Sequence, residues 1–174
     1  AEVRAKMRDL FLTKAVFISK VIKGKEEAGI KFKDYFDLTE AVSASPSHRV
    51  LAMRRGEKEE ILTLRVLPPE DEALEIVRTK FVKGENSSSR QVLLAVEDSY
   101  KRLLSLSMES EIRMITKQKA DEEAIVVFAK NLRQLLMEAA LGQKRVLAVD
   151  PGFRTGCKMV ALDAQGKLLE NKTI

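Results

Sequence analysis

The sequence is poor in the residues on which several common kinds of site depend. Its 174 residues include one cysteine and no tryptophan, and aromatic residues make up only 5%. A single cysteine, Cys157, excludes an internal disulfide and a cysteine-rich metal cluster, and it is typical of a reducing cytosol. The scarcity of aromatic side chains argues against a surface that stacks nucleic-acid bases.

Long apolar runs are also missing. The most apolar early stretch, residues 15–18, lies between Lys14 and Lys20, and it is far shorter than the roughly 20 residues of a membrane-spanning helix. No secretory signal is visible. The sequence therefore predicts a cytoplasmic protein with no membrane partner.

Positive charge is unevenly distributed along the chain. The formal net charge is +5, which favours a nucleic-acid partner. Residues 144–174 hold six Lys or Arg against three Asp or Glu, which leaves 25 against 23 for residues 1–143. Most of the excess therefore lies in the last part of the chain.

Most of the chain shows the apolar spacing of helices. Apolar residues near a 3.6-residue period predict a first helix over residues 2–23. A serine–proline pair ending at Pro46 predicts the start of another helix, and Gly56 predicts its end. Imperfect alternation over residues 61–67 predicts a short strand or extended link. The prolines up to Pro69, with acidic residues behind them, predict the next helix.

The most regular helical pattern follows the acidic residues 121–123 and runs to Gly142. Its wide apolar face consists of Ile125, Phe128, Ala129, Leu132, Leu135, Leu136 and Ala139. A stripe of this width is typical of a helix that packs in the core of a bundle.

At Lys144 the pattern changes from helical to extended. The continuous apolar run at residues 146–149 predicts a central buried strand. Residues 159–162 predict a second strand, and residues 163–167 predict the hairpin turn into a third over residues 168–174.

The predicted fold class is therefore mainly α. A helical bundle-like region over residues 1–143 is followed by the first β-strands of an α/β domain over residues 144–174. Because the chain starts at Ala1 inside a helical pattern, and its last strands have little cover for an apolar face, we expect it to be a piece of a longer protein.

One constellation that could carry chemistry lies between the first two of these late strands. Asp150 is placed at a strand end, and Gly152 and Gly156 indicate a tight loop behind it. Such an aspartate binds the divalent cations of an RNase H-like nuclease. The alternative is that Asp150 only accepts backbone N–H bonds within its loop.

Three further residues of this segment are candidate phosphate or nucleic-acid ligands: Arg154, Thr155 and Lys158. Sugar kinases and actin-like ATPases open with a similar strand, aspartate and small polar loop. Arg154 and Thr155 would suit the phosphate of a nucleotide or of a nucleic-acid backbone equally well. The spacing leaves the nuclease and the ATPase open as alternatives.

A second basic group precedes the predicted strand at residues 61–67. Arg49, Arg54, Arg55 and Lys58 form either a solvated helix face or a contact to phosphate. His48, the only histidine, lies near the predicted helix start and is expected to have a structural hydrogen-bonding role.

Several separated stretches, in the same order, resemble one protein family. They are Lys33-Asp-Tyr-Phe36, Ser47-His-Arg-Val-Leu-Ala52, Arg55-Gly-Glu57, Ala120-Asp-Glu-Glu-Ala124, Phe128-Ala129, Asn131-Leu-Arg133, and Arg145-Val-Leu-Ala-Val149 with Asp150-Pro-Gly-Phe-Arg-Thr-Gly-Cys-Lys158. Together they span most of the chain and resemble the Tex family of bacterial transcription accessory proteins.

The resemblance implies a cytoplasmic, multidomain nucleic-acid-binding protein linked to transcription and RNA metabolism. Residues 1–143 would be its central helical scaffold, and residues 144–174 the start of a YqgF-type RNase H-like domain. RNA or DNA would be bound by the full-length protein, and the transcription machinery is the other candidate partner. The resemblance assigns no certain cofactor. Mg²⁺ is the candidate for a complete RNase H-like domain with Asp150 as a ligand, but this chain alone is not expected to be an enzyme.

Overall fold

The computed structural model of the chain describes residues 2–152 and 156–174. They divide into two compact units, residues 1–129 and 130–174. The first elements are α1 (Glu2–Lys14), β1 (Val16–Val21), a 3-10 helix (Ile30–Tyr35), β2 (Asp37–Ala41), α2 (Ser47–Lys58), β3 (Leu62–Leu67), α3 (Glu70–Phe81), α4 (Ser87–Ser99), a π-helical turn (Tyr100–Leu104) and α5 (Ser105–Leu136). The last of these, α5, continues past the boundary between the two units. The strands β4 (Val146–Asp150), β5 (Lys158–Leu162) and β6 (Leu168–Thr173) follow. The predicted fold class, mainly α with strands behind the helical region, is confirmed.

The first unit, residues 1–129, is called the helical unit below. A three-stranded antiparallel sheet lies within it, in the order β2-β1-β3. The predicted helix over residues 2–23 is therefore wrong in its second half, because α1 ends at Lys14 and β1 begins at Val16. The β-branched residues of β1 suit a central strand with a neighbour on each side. Helical spacing and strand alternation overlap in this short apolar stretch, and long-range pairing decides between them.

The strand predicted over residues 61–67 is confirmed as β3. Its side chains alternate between buried Leu62, Leu64 and Val66 and exposed residues between them. The buried side chains of this face and of the surrounding helices form the core: Met7, Leu10, Phe11, Ala15, Phe17, Val42, Val50, Met53, Leu64, Val66, Ala73, Leu74, Val77, Val96, Tyr100, Met108, Ile112 and Ala120. Five helices thus surround one sheet, and β3 is an outer strand of that sheet.

Gly56 lies inside α2 rather than at its end. The helix continues to Lys58, and the chain then turns through Glu60, which has a φ of +56°. Gly56 is buried, and a Cβ atom at this position would lie 2.5 Å from Cδ1 and 2.8 Å from Cγ of Leu62. The predicted helix stop is wrong because this glycine is needed for close packing of α2 on β3.

The long helix α5 is one unit of 32 residues, without the predicted start at residues 121–123. Its first half is packed in the core, but the apolar stripe of its second half is exposed. Ile125, Phe128 and Leu135 are 66%, 67% and 70% exposed. The prediction that this stripe is bundle core is therefore wrong for the chain as described, since amphipathic spacing does not identify what covers a face.

The last three strands form a separate antiparallel sheet in the order β4-β5-β6. The predicted turn at residues 163–167 is confirmed, because Oδ1 of Asp163 accepts hydrogen bonds from the backbone N–H of Gln165 at 2.9 Å and of Lys167 at 2.8 Å. The prediction that residues 146–149 form a central buried strand is wrong in its placement. β4 is an edge strand of this sheet, and Leu147 and Val149 are mostly exposed.

Within the described residues, none of the helices combines the length and the apolar character required to cross a membrane.

Replacing Gly56 by Ala is expected to destabilise the helical unit. Alanine gains up to about 1 kcal/mol of helix propensity, but its methyl group must displace the Leu62 side chain, and overpacking of this kind costs about 1–3 kcal/mol. Urea unfolding followed by circular dichroism measures the difference. Arg55→Ala, on the exposed side of the same helix, is the control and should change stability by less than about 0.5 kcal/mol. A Gly56→Ala protein more stable than the parent would contradict the packing role.

Candidate functional site

The basic residues predicted on α2 differ in how they are paired. Nη1 of Arg49 lies 2.5 Å from a carboxylate oxygen of Glu40, and Nη1 of Arg54 lies 3.0 Å from a carboxylate oxygen of Glu57. Arg55 and Lys58 are exposed. Neither has a carboxylate within ion-pair distance among residues 2–152 and 156–174.

Arg54 also lines an open groove between α2, β3 and α5. The groove has a volume of about 430 Å³. Its walls are formed by Arg54, Arg65, Leu106, Glu109, Ser110, Arg113, Met114 and Lys117. Four of these eight side chains are cationic and one is acidic, so the groove is strongly basic.

Two residues of α5 complete the outer edge of β3. Oε1 of Glu109 accepts a hydrogen bond from the backbone N–H of Val66 at 2.9 Å, and Nη1 of Arg113 donates to the backbone carbonyl of Leu64 at 3.0 Å. Residues four apart on a helix share one face, which lets both side chains reach the same strand. Backbone groups that would otherwise be unpaired on an outer strand are thus satisfied by side chains.

Two carboxylates, those of Glu109 and Glu57, orient the arginines of the groove. Nε of Arg65 donates to both oxygens of Glu109, at 3.0 and 3.1 Å, and the Glu109 side chain is only 8% exposed. Glu57 accepts hydrogen bonds from both Arg54 and Arg113. Among the described residues, the terminal nitrogens of Arg65 have no hydrogen-bond partner, and Arg54 uses only Nη1.

Charge in the groove is not fully balanced. Arg54 and Arg113 share the single carboxylate of Glu57, Arg65 pairs with Glu109, and Lys117 pairs with Asp121 one turn along α5. The Lys117 pair is exposed, and such pairs contribute little to stability. Four cations therefore face three carboxylates, which leaves one positive charge in excess.

A neighbouring cluster also places two arginines on one carboxylate. Glu111 of α5 receives hydrogen bonds from Arg8 at 2.5 Å and Arg4 at 2.8 Å, both on α1. These two guanidinium groups hold the pKa of the Glu111 carboxyl below its ordinary value. The cluster ties α1 to α5.

The predicted hydrogen-bonding role of His48 is not seen. The residue is exposed near the start of α2, and its imidazole makes no hydrogen bond within the described ranges, residues 2–152 and 156–174. Cys157 is half-buried, and its backbone N–H and carbonyl both pair with Ile174.

Asp150 is the last residue of β4 and is exposed, with Lys158 of β5 as its cross-strand partner. Gly152 is half-buried. The predicted phosphate ligands Arg154 and Thr155 lie outside the described residues. In the part of the chain that the structure describes, no three His, Cys, Asp or Glu side chains are arranged to hold a metal ion.

Gly156 closes this loop against the last strand. It has a φ of +80°, and an added Cβ would overlap the carbonyl oxygen of Ile174 and lie 3.0 Å from its carbonyl carbon. Gly166, in the hairpin turn, has nearly the same φ of +81° but open space around it. A side chain added at Gly166 would therefore cause backbone strain alone, whereas one added at Gly156 would cause both backbone strain and steric overlap.

Gly156→Ala is expected to loosen the β5–β6 pairing far more than Gly166→Ala. The second change adds only the left-handed backbone cost of about 1–2 kcal/mol, while the first adds an overlap with backbone that cannot move aside without breaking the Cys157–Ile174 hydrogen bonds. Amide hydrogen exchange of Met159 and Lys172, the next hydrogen-bonded pair along β5 and β6, measures this. Equal exchange rates in the two variants would show that the contact between Gly156 and Ile174 does not affect the stability of the β5–β6 pairing.

Sequence reasoning found only Arg54 among the groove cations. Arg65, Arg113 and Lys117 were missed because they come from other elements, β3 and α5, and the sequence does not show how these elements pack against α2. A signal was present in the Glu109 and Arg113 spacing, since a charged pair four residues apart on a helix marks one face. Only the packing of α5 on β3 turns that face towards Arg54.

Comparison with known proteins places both parts of the chain in one family. Residues 1–128 match the family model described as Tex central region-like, and residues 144–174 match the model described as Tex protein YqgF-like domain. The first match alone covers more than half of the chain.

Individual relatives agree with this assignment. The chain is 44% identical over 140 residues to the uncharacterized protein YdcI of Bacillus subtilis, and this match covers 80% of this chain and 20% of YdcI. It is 36% identical over 178 residues to the transcriptional accessory protein Tex of Neisseria gonorrhoeae, covering 98% of this chain and 23% of that protein. It is 28% identical over 134 residues to the human S1 RNA-binding domain-containing protein 1, covering 73% and 14%. The chain thus spans about a fifth to a quarter of the length of these bacterial relatives.

Proposed function

Because the chain belongs to the Tex family, we propose that it is a scaffold segment of a larger nucleic-acid-binding protein that acts in transcription and RNA metabolism. The observation that carries the proposal is the match of two consecutive regions of the chain to two named regions of one family. Relatives named for transcription and for an S1 RNA-binding domain support it. The protein would act in the cytoplasm, with RNA or DNA as its ligand and the transcription machinery as a protein partner.

The proposed division of labour follows the two sequence regions. Residues 1–143 form the helical scaffold, and residues 144–174 begin an RNase H-like domain. In this proposal the main RNA-binding modules of the whole protein lie outside the chain, as helix-hairpin-helix and S1 modules do in the family that the sequence resembles. The exposed apolar stripe of α5 would then be a surface that meets other parts of the protein.

Binding of the full-length gene product to RNA tests this function. Fluorescence anisotropy with labelled RNA and DNA oligonucleotides should show an affinity that falls by about tenfold or more between about 50 and 200 mM salt, since phosphate contacts release counterions. Absence of binding to both nucleic acids, or an affinity independent of salt, would overturn the proposal.

The competing function is a metal-dependent nuclease, favoured by the exposed position of Asp150 at the end of β4. On the scaffold proposal, Asp150→Asn in the full-length protein leaves RNA cleavage with Mg²⁺ or Mn²⁺ unchanged. Loss of a metal-dependent cleavage that the parent protein shows would instead establish the nuclease. Lys172→Gln, which removes an exposed lysine of β6 that is not a candidate ligand, serves as the control for a purely local disturbance.

A further inference from the structure

We propose that the groove between α2, β3 and α5 is itself a nucleic-acid contact, in which Arg54, Arg65, Arg113 and Lys117 bind the phosphodiester backbone. This inference rests on the proposed function, and it adds a binding site within the helical scaffold. No aromatic side chain on which a base could stack lines the groove, so the proposed contact is with the backbone.

The four cations reach the groove from three different elements. Arg54 comes from α2, Arg65 from β3, and Arg113 and Lys117 from successive turns of α5. Leu106 and Met114, 51% and 66% exposed, lie along the same stripe of α5. An open groove with cations at several points and apolar side chains between them suits a polymer that alternates phosphates with sugars.

The arginines are held in place before any ligand arrives. Glu109, anchored by the backbone N–H of Val66, fixes Arg65 through its Nε and leaves both terminal nitrogens available. Glu57 fixes Arg54 through one terminal nitrogen in the same way. Guanidinium groups that are already oriented lose less conformational entropy on binding a phosphate.

Charge favours an anion at this place. One positive charge is in excess over the carboxylates of the groove. Lys117 is held only by an exposed ion pair with Asp121 on its own helix, which a phosphate can replace at small cost. The buried Glu109 is not displaced, because its bonds to β3 are independent of Lys117.

The geometry favours a phosphate backbone over an acidic peptide. An extended peptide would add to the open edge of a sheet through its backbone hydrogen bonds. At β3 this edge is already occupied, since Val66 donates to Glu109 and Leu64 accepts from Arg113. Among the described residues that line the groove, Arg54 and Arg65 keep side-chain N–H groups without a partner, and these groups match the oxygens of phosphates.

The test compares two double variants of the 174-residue chain that carry the same change in charge. Arg54→Gln with Lys117→Gln removes two groove cations and leaves the Glu109 and Arg113 bonds to β3 intact. Lys6→Gln with Arg90→Gln removes one exposed residue of α1, which pairs with Glu2 one turn away, and one of α4. Neither control residue lines the groove.

Binding is measured by anisotropy with a labelled RNA of mixed sequence, single-stranded and as a duplex. The groove variant should bind about tenfold more weakly than the parent chain, and the affinity of the control should stay within about twofold. The slope of log affinity against log salt concentration should become less steep in the groove variant, by the amount expected for about two lost phosphate contacts. Arg65→Gln, which preserves a hydrogen-bond donor near Glu109, is the second variant should the first unfold, as judged by circular dichroism. It should also weaken binding.

Three results would overturn the site. They are no binding of RNA by the parent chain, equal weakening in groove and control variants, and competition by polyglutamate as effective as competition by RNA at equal charge, which would identify an acidic protein as the ligand. Each leaves the proposed function standing as long as the full-length protein still binds nucleic acid.

Discussion

The attachment of α5 to the outer edge of β3 is the constraint on which the helical unit depends. An outer strand at the core has backbone groups without a strand partner, and leaving them unpaired in a buried position costs free energy. Glu109 and Arg113 supply the missing acceptor and donor from one helix face. The sheet is thereby closed by side chains, and the first half of the long helix is fixed over the core.

That same arrangement creates the groove. The carboxylate that accepts the Val66 N–H also orients Arg65, and Arg113 reaches Glu57, which orients Arg54. Structural hydrogen bonds thus fix the direction of guanidinium groups whose remaining donors face outward. Stability and ligand binding depend on different atoms of the same side chains, so a substitution that spares the carboxylates can separate the two.

The two ends of α5 behave differently although both are amphipathic. Met108 and Ile112 are fully buried, while Ile125 and Phe128 are mostly exposed. The spacing of apolar residues predicts a helix equally well in both halves, because it reports only that one face is apolar. The bacterial relatives YdcI and Tex are about four times as long as this chain, and amphipathic spacing alone does not say which surface a face meets.

The sequence by itself determined the family, the mainly helical fold class, the strand at residues 61–67 and the turn at Asp163. These features depend on local chemistry, such as the Asp163 oxygen that accepts nearby backbone N–H groups, or on the order of short motifs. Tertiary structure decided that residues 16–21 are a central strand, that Gly56 is a packing site and that Arg65 and Arg113 join Arg54 in one groove. The physical reason is that each of these depends on contacts between different secondary-structure elements, and no local pattern encodes such a contact.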